Sequence, residues 1–313
     1  MTFEIREGLM VKADWIAVDW GTTSLRTWAM SSSGTVLAEA QSDHGMGALR
    51  SDGFEAALLD LISDWLPAEK TRVIACGMVG ARQGWVEAEY SRVPCAPTAS
   101  TLTRAPTTDP RLDVQILPGV CQMSPADVMR GEETQIAGFQ SLNPNFDGVI
   151  TLPGSHTKWV HMSAREIVSF QTVMTGEMFA ALSGHTVLRH SVRTDGWDEA
   201  AFDTAVDEIL SRPERLAAKL FSLRAEGLLN AMPCETAKAR LSGLLIGAEI
   251  AASKPYWLGQ PLAIIGDTDL ATLYARALQT QGLDAIRTDA TAMTLAGLCA
   301  AHTQFTTGPR SGT

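Results

Sequence analysis

The chain of 313 residues is long enough for one large or two medium domains, each with a sizeable core. Its 45% apolar and 19% charged residues describe a soluble globular protein, and no apolar run nears the ~20 residues that would span a bilayer. A formal charge of -10 without any Lys/Arg cluster argues against a nucleic-acid partner, although a few local Arg or Lys side chains would suffice for a small anion.

Five scattered cysteines, Cys76, Cys95, Cys121, Cys234 and Cys299, show no CxxC spacing. They read as reduced thiols of a cytoplasmic protein, not as a disulfide frame or a zinc site. Residues 1–13 carry Glu4, Glu7 and two basic side chains where a signal peptide needs an apolar core. They read as a loose extension of a protein that is not exported.

Trp15 to Asp19, Leu25 to Met30 and Thr35 to Ala40 are patterned as an antiparallel meander of three short strands. The first turn is Asp19-Trp20-Gly21-Thr22-Thr23-Ser24. Such a turn can hold phosphate beside a metal ion: the glycine lets amide N–H groups face an anion, the hydroxyls add donors, and the carboxylate offers Mg2+ a hard oxygen. An ordinary hairpin turn has the same composition.

Asp52 and Glu55 have capping-box spacing ahead of a helix with Phe54, Leu58, Leu61, Ile62 and Trp65 on its apolar face, stopped by Pro67. A strand over 72–76 runs into a glycine-rich segment, 77–85, that holds Arg82 and Trp85 and suits a loop passing close to a ligand. After a Pro- and Thr-rich passage, 114–117 is a further strand. Ser124 and Pro125 are expected to open a helix carrying Asp127, Arg130, Glu132 and Glu133.

The opening plan then recurs. Gly148 to Leu152, the turn Gly154-Ser155-His156-Thr157-Lys158, Trp159 to Met162 and Ile167 to Phe170 repeat strand, glycine-and-hydroxyl tip, strand, turn, strand. A duplication of this kind predicts two related lobes. Helical spacing follows over 177–190, 198–210, 213–230 and 235–253. A strand over 262–265 ends in Gly266-Asp267, and a helix over 268–280, a strand over 283–287 and a helix over 289–302 complete an α/β lobe, with a frayed tail from Thr303.

Five of these segments together carry a resemblance: Asp19 to Thr23, Gly77 to Gly80, Met129 to Gln135, Leu152 to Val160 and Met174 to Glu177, with Leu241 to Gly247 as a sixth. In that order they resemble the 2-dehydro-3-deoxygalactonokinases. The resemblance implies an α/β fold of two ribonuclease-H-like lobes, the actin-like ATPase fold, with an interlobe active-site cleft. The lobes would be 1–142, completed by the helix 289–303, and 143–288. It further implies ATP and Mg2+ as cofactors and phosphorylation of 2-dehydro-3-deoxy-D-galactonate at its terminal hydroxyl, in the cytoplasm, with a homodimer as one assembly to consider.

Under that resemblance Gly21, Thr22 and Thr23 would form one phosphate clamp, with Asp19 on the metal side. Gly154, Ser155, His156 and Thr157 would form the opposed clamp, with Lys158 as an added charge or else a solvated strand residue. The base that takes the hydroxyl proton would be Glu133 or Glu132. Related sugar kinases use an Asp at a comparable position, and acidic residues also favour a helix first turn for its dipole alone. Arg82, Trp85 and Glu177 would meet the sugar acid. Gly243 and Gly266 mark where backbone nears the nucleotide, and helix packing explains Gly243 equally well. A kinase for another sugar or sugar acid is the nearest alternative. A non-catalytic ATP-binding protein of the same fold is a more distant one.

Overall fold

Strand β1 (Trp15–Trp20) shows how the first sheet is built. Ile16, Val18 and Trp20 enter one core cluster with Phe54 and Leu58, while Trp15 and Ala17 enter another, on the opposite face, with Trp28 and Leu298. Asp19 is the one residue of the strand that is not fully buried. The computed structural model describes residues 11–307, so most of the expected N-terminal extension lies outside the described residues.

By its contacts the chain divides into two compact units, one formed by residues up to Asn145 together with those from Thr291, the other by Phe146–Ala290. In the first, β2 (Leu25–Met30) and β3 (Val36–Ser42) follow β1 antiparallel, and α1 (Phe54–Ile62) leads to β4 (Thr71–Gly77), parallel to β1. After β5 (Tyr90–Arg92) and β6 (Thr103–Arg104) come β7 (Leu112–Ile116), β8 (Gly119–Met123), β9 (Ala126–Met129) and α2 (Glu132–Leu142). The main sheet runs β3-β2-β1-β4-β7-β6, and β5, β8 and β9 pair separately.

The second unit repeats the plan. A meander of β10 (Gly148–Leu152), β11 (Thr157–Ser163) and β12 (Glu166–Val173) is followed by helices α3 (Thr175–His185), α4 (Arg189–Val192), α5 (Glu199–Ser211), α6 (Leu216–Leu229), α7 (Cys234–Ala252) and α8 (Lys254–Trp257). Then come β13 (Leu262–Gly266), α9 (Thr268–Gln279) and β14 (Ile286–Asp289), the two strands parallel to β10. Its order, β12-β11-β10-β13-β14, matches β3-β2-β1-β4-β7 in both sequence and strand sense. The recurring meander noted in the sequence is therefore three strands of a recurring five-strand pattern.

Helix α10 (Ala290–Thr307) returns to the first unit. It lies against α2 at backbone distance: a Cβ on Gly138 would fall 1.9 Å from the Met293 carbonyl oxygen, and one on Gly297 would fall 2.0 Å from that of Thr134. Further along, His302 stacks on Trp15 with ring centroids 4.2 Å apart. Among the described residues no helix is long and apolar enough to cross a membrane.

Several local expectations differ from the structure. Residues 126–129 form β9, and the helix begins at Glu132, because the chain must first turn back beside β8. The Asp52–Glu55 capping box does not form: Gly53 is the N-cap of α1, and the Glu55 carboxylate instead accepts from the Thr108 and Asp109 amides. The strand expected over 283–287 is displaced to β14, and 177–190 breaks into α3 and α4. Residues 303–307 continue α10 where fraying was expected, with Arg72 donating to the Phe305 carbonyl.

Alanine at Gly138 should lower the unfolding midpoint, since the collision is with backbone. The ~1 kcal/mol gain in helix propensity is smaller than the roughly 1–3 kcal/mol overpacking cost. An unchanged midpoint in thermal denaturation would show that α10 does not pack on α2 this closely.

Candidate functional site

In the first unit, chemistry gathers at the carboxyl ends of β1 and β4 and the start of α2. The four-residue turn Gly21–Ser24 closes on a Gly21 N–H to Ser24 carbonyl bond of 2.9 Å. Behind it, the amides of Met46 and Gly47 donate to the carbonyls of Gly21 and Thr22, which leaves the Thr22 and Thr23 side chains exposed at the tip. Asp19 faces Arg26, its register partner on β2, and the guanidinium bonds its carboxylate. Arg26 also donates to the Thr291 hydroxyl at 2.8 Å.

Gly77, at the end of β4, has φ +88°, and a Cβ there would lie 2.6 Å from the Trp20 carbonyl. Gly131 has φ +109° and backs onto Gly77. Only glycine allows two backbones to meet in this way beside Asp19. The turn at Gly131 sends α2 off with Glu132 half-buried and Glu133 buried. Glu133 accepts from the Gly131 amide at 2.7 Å and from the Thr134 hydroxyl at 3.2 Å. Glu132 accepts from the Arg130 amide at 3.0 Å.

Burial, and then the charge of Glu132, push the Glu133 carboxyl up to about 8, against the opposing pull of backbone N–H bonds and Arg130. Cys76 lies between the two acids. Its thiol is raised well above the ordinary range by burial and by the charges of Asp19 and Glu133. Glu133 borders a void of about 10 Å³, together with Thr134, Gly297 and Ala301.

Arg82 and Trp85 also belong to this unit. The Arg82 side chain is 81% exposed and reaches only Glu87, at 3.6 Å. Trp85 packs into the core, its ring 6.2 Å from those of both Trp20 and Phe54, so it stiffens the strand end that carries Asp19.

In the second unit the tip between β10 and β11 opens onto a cavity of about 680 Å³. Gly154 and Ser155 border it, as do Thr175 and Gly176 at the start of α3. Leu245, Ile246, Leu270 and Leu273 give it apolar walls, and Ser242, Lys238 and Asp269 give it polar ones. Gly176 is required here: a Cβ would stand 2.3 Å from the Gly154 carbonyl. The Glu177 amide donates to the Ser155 carbonyl, and its carboxylate lies 2.5 Å from His156 Nε2.

Thr157 and Lys158 point inward. Thr157 Oγ1 is 3.0 Å from the Tyr274 hydroxyl, and the buried Lys158 ammonium donates to Thr172 Oγ1 at 2.8 Å, so Lys158 is not the solvated strand residue its type suggests. Gly243 is a packing glycine, since a Cβ would meet the Phe202 carbonyl of α5 at 2.5 Å. Gly266 ends β13, where Asp267 caps α9 by accepting from the Asp269 amide, and a Cβ on Gly266 would meet Pro153 only at an ordinary 3.5 Å.

Beneath the tip lies a buried carboxylate that pattern reading passed over. Glu249 accepts from Trp159 Nε1 at 2.8 Å and from the Tyr274 hydroxyl at 2.7 Å, and burial raises its pKa against bonds from Thr175, Tyr274, Trp159 and Thr157. It ties α7 to β11, α3 and α9 on one side of the cavity. Helical spacing gave no signal for it, because Glu249 sits in the half of α7 that is buried on nearly every side, from Leu241 to Ile250. Arg26 was legible, since a four-residue turn places it opposite Asp19.

The profile of the 2-keto-3-deoxy-galactonokinase family matches residues 19–301. The chain belongs to that family. A Rhizobium meliloti relative, named as a probable 2-dehydro-3-deoxygalactonokinase, is 40% identical over 91% of this chain and 95% of its own. The Escherichia coli 2-dehydro-3-deoxygalactonokinase is 35% identical over 87% of this chain and 91% of its own. A crystal structure from Sinorhizobium meliloti, named as a putative 2-dehydro-3-deoxygalactonokinase protein, superposes with a TM-score of 0.87 at 39% identity, covering 94% of this chain and all of that one. A more remote likeness, at 11% identity and TM-score 0.51, is to the Clostridium difficile activator of 2-hydroxyisocaproyl-CoA dehydratase with bound ADPNP, and it bears on the fold alone. The family resemblance carried by the motifs thus holds, as does the two-lobed α/β fold it implies.

Because this family member keeps Glu133 protonated when folded, with an ordinary value of 4.5 when unfolded, the folded form binds more protons between those limits. Stability should therefore fall as pH rises from about 4.5 to about 8. Glu133→Gln should remove that slope and stabilise the protein at pH 8 on the order of a few kcal/mol. Denaturant unfolding of both proteins across that range would reveal it, and parallel pH profiles would contradict the burial.

Proposed function

We propose that the protein transfers the terminal phosphoryl group of ATP, with Mg2+, to the C6 hydroxyl of 2-dehydro-3-deoxy-D-galactonate, giving the 6-phosphate in cytoplasmic galactonate breakdown. The observation that carries this reading is the buried Glu133 carboxyl at the start of α2, which with Asp19 acts on the Cys76 thiol, in a chain whose family match runs from residue 19 to 301.

Phosphoryl transfer needs positioning, charge neutralisation and a group that accepts the attacking hydroxyl proton. Glu133 is the proposed base. A carboxyl held near 8 is a strong base once ionised, and its bond from the Gly131 amide fixes its direction. Glu132, one residue earlier and half-buried, is the other candidate, and its negative charge helps to keep its neighbour protonated.

No cluster of three or more His, Cys, Asp or Glu side chains suited to a metal occurs among the described residues. A single carboxylate nevertheless suits Mg2+, which keeps most of its waters and binds phosphate oxygens. Asp19 would hold it, exchanging its bond to Arg26 for a water-mediated or direct metal contact. When bound, Mg2+ would neutralise phosphate charge and favour ionised Glu133.

The cavity of about 680 Å³ is the proposed seat of the nucleoside, its leucine walls suiting a base and Ser242 and Asp269 suiting a ribose. Gly154, Ser155 and His156 of the second unit, and Gly21, Thr22 and Thr23 of the first, are the proposed phosphate contacts, through amide and hydroxyl donors. Thr157 and Lys158 would brace the tip from behind. Arg82, Trp85 and Glu177 are the proposed substrate contacts. Arg82 is so exposed, and Trp85 so embedded, that a kinase for another 2-keto-3-deoxy sugar acid is the second reading.

Glu133→Gln should lower kcat roughly 10²–10⁴-fold while nucleotide binding persists. Unchanged kcat would remove it from the mechanism and turn attention to Glu132→Gln. Asp19→Asn should raise the Mg2+ concentration needed for half-maximal rate, and normal metal dependence would end that assignment. Coupled ATPase assays over galactonate- and gluconate-derived 2-keto-3-deoxy acids would separate the two substrate readings.

A further inference from the structure

A second hollow, of about 980 Å³, adjoins the proposed nucleoside cavity in the same unit and has no part in the chemistry above. It lies among α3, α4, the segment that follows α4, and α7. Phe179 and Lys238 border both spaces, so the two hollows share a wall. The wall is held in place: the Lys238 ammonium donates to the Thr194 carbonyl at 2.9 Å.

The charge of this hollow runs against that of the molecule. Arg189, Arg193 and Lys238 give it three permanent cations, His190 a fourth basic group, and Asp195 a single carboxylate, in a chain of formal charge -10. Neither Arg189 nor Arg193 is ion-paired with a carboxylate among the described residues. The Arg189 guanidinium donates only to the Thr186 carbonyl. Like charges collected in one concavity repel one another and focus the field that attracts an anion. Forked guanidinium groups suit carboxylate and phosphate oxygens in particular.

We propose that this hollow is a second anion-binding site, taking a small organic ion with two or more carboxylate or phosphate charges, and that its occupancy alters nucleotide affinity through Lys238. The binding half of this statement does not depend on the kinase reading, whereas the coupling half rests on it.

The test is calorimetric titration of the full chain, without nucleotide or metal, using citrate as the carboxylate probe and glycerol 3-phosphate as the phosphate probe. Saturable binding of either probe to the wild type, weakened at least about tenfold in an Arg189→Gln, Arg193→Gln double variant and at raised ionic strength, is the expected result. Whichever probe binds identifies the charge type. Both arginines are exposed, so the variant should fold, and an unchanged unfolding midpoint would verify that it does. Arg215→Gln, outside the hollow, should bind as the wild type does. Absence of saturable binding by both probes, or equal binding to the double variant, would overturn the proposal. Direct titration of ADP with and without the bound probe reads the coupling, and identical ADP affinity would overturn that half alone. A chain lacking kinase turnover would leave the first titration interpretable.

Discussion

A carboxyl group kept out of water at the start of α2 is the constraint around which the first unit is arranged. Removing Glu133 from solvent carries an electrostatic cost, and it is met by withholding the charge and supplying an amide and a hydroxyl as donors. The donors exist only because Gly131, at a positive φ, turns the chain against Gly77. The burial exists only because α10 returns to lie on α2, where Gly138 and Gly297 let the helices approach at backbone distance. A glycine turn, two packing glycines and the last helix thus serve one side chain, fixing its direction and its proton affinity.

The second unit resolves a comparable problem differently. Glu249 is also buried, but its donors are side chains of other elements, Trp159 of β11 and Tyr274 of α9, so it serves as a tie between helices and the strand that leads from the glycine tip. The same sheet plan therefore carries in one unit an acid bonded by its own helix start and beside a second acid, and in the other an acid bonded from other elements.

Stability and function pull against each other at Glu133. A neutral isostere relieves the cost of burial and deprives the proposed reaction of its base, the trade expected where a site is tuned by its surroundings. Cys76 follows the same logic. Enclosed between two acids, its thiol is held protonated and behaves as a small apolar residue of the core.

Local chemistry was readable from the chain alone. The two glycine-and-hydroxyl tips, the meanders on either side of them and the family resemblance all rest on short segments whose turn and strand preferences are set by their own residues, and so the duplication and the fold class could be inferred without coordinates. Even Arg26 was within reach, because a four-residue turn dictates which residue stands opposite Asp19. What lay beyond reach depended on distant neighbours. β9 replaces a helix because β8 offers a partner, Lys158 is inside because Thr172 on the next strand receives it, Trp85 is a core ring because Phe54 and Trp20 stand beside it, and Glu133 is buried because a helix some 160 residues later covers it. Turn geometry is a property of a few consecutive residues, whereas burial and proton affinity belong to whatever the completed fold brings alongside, and only the tertiary structure could decide them.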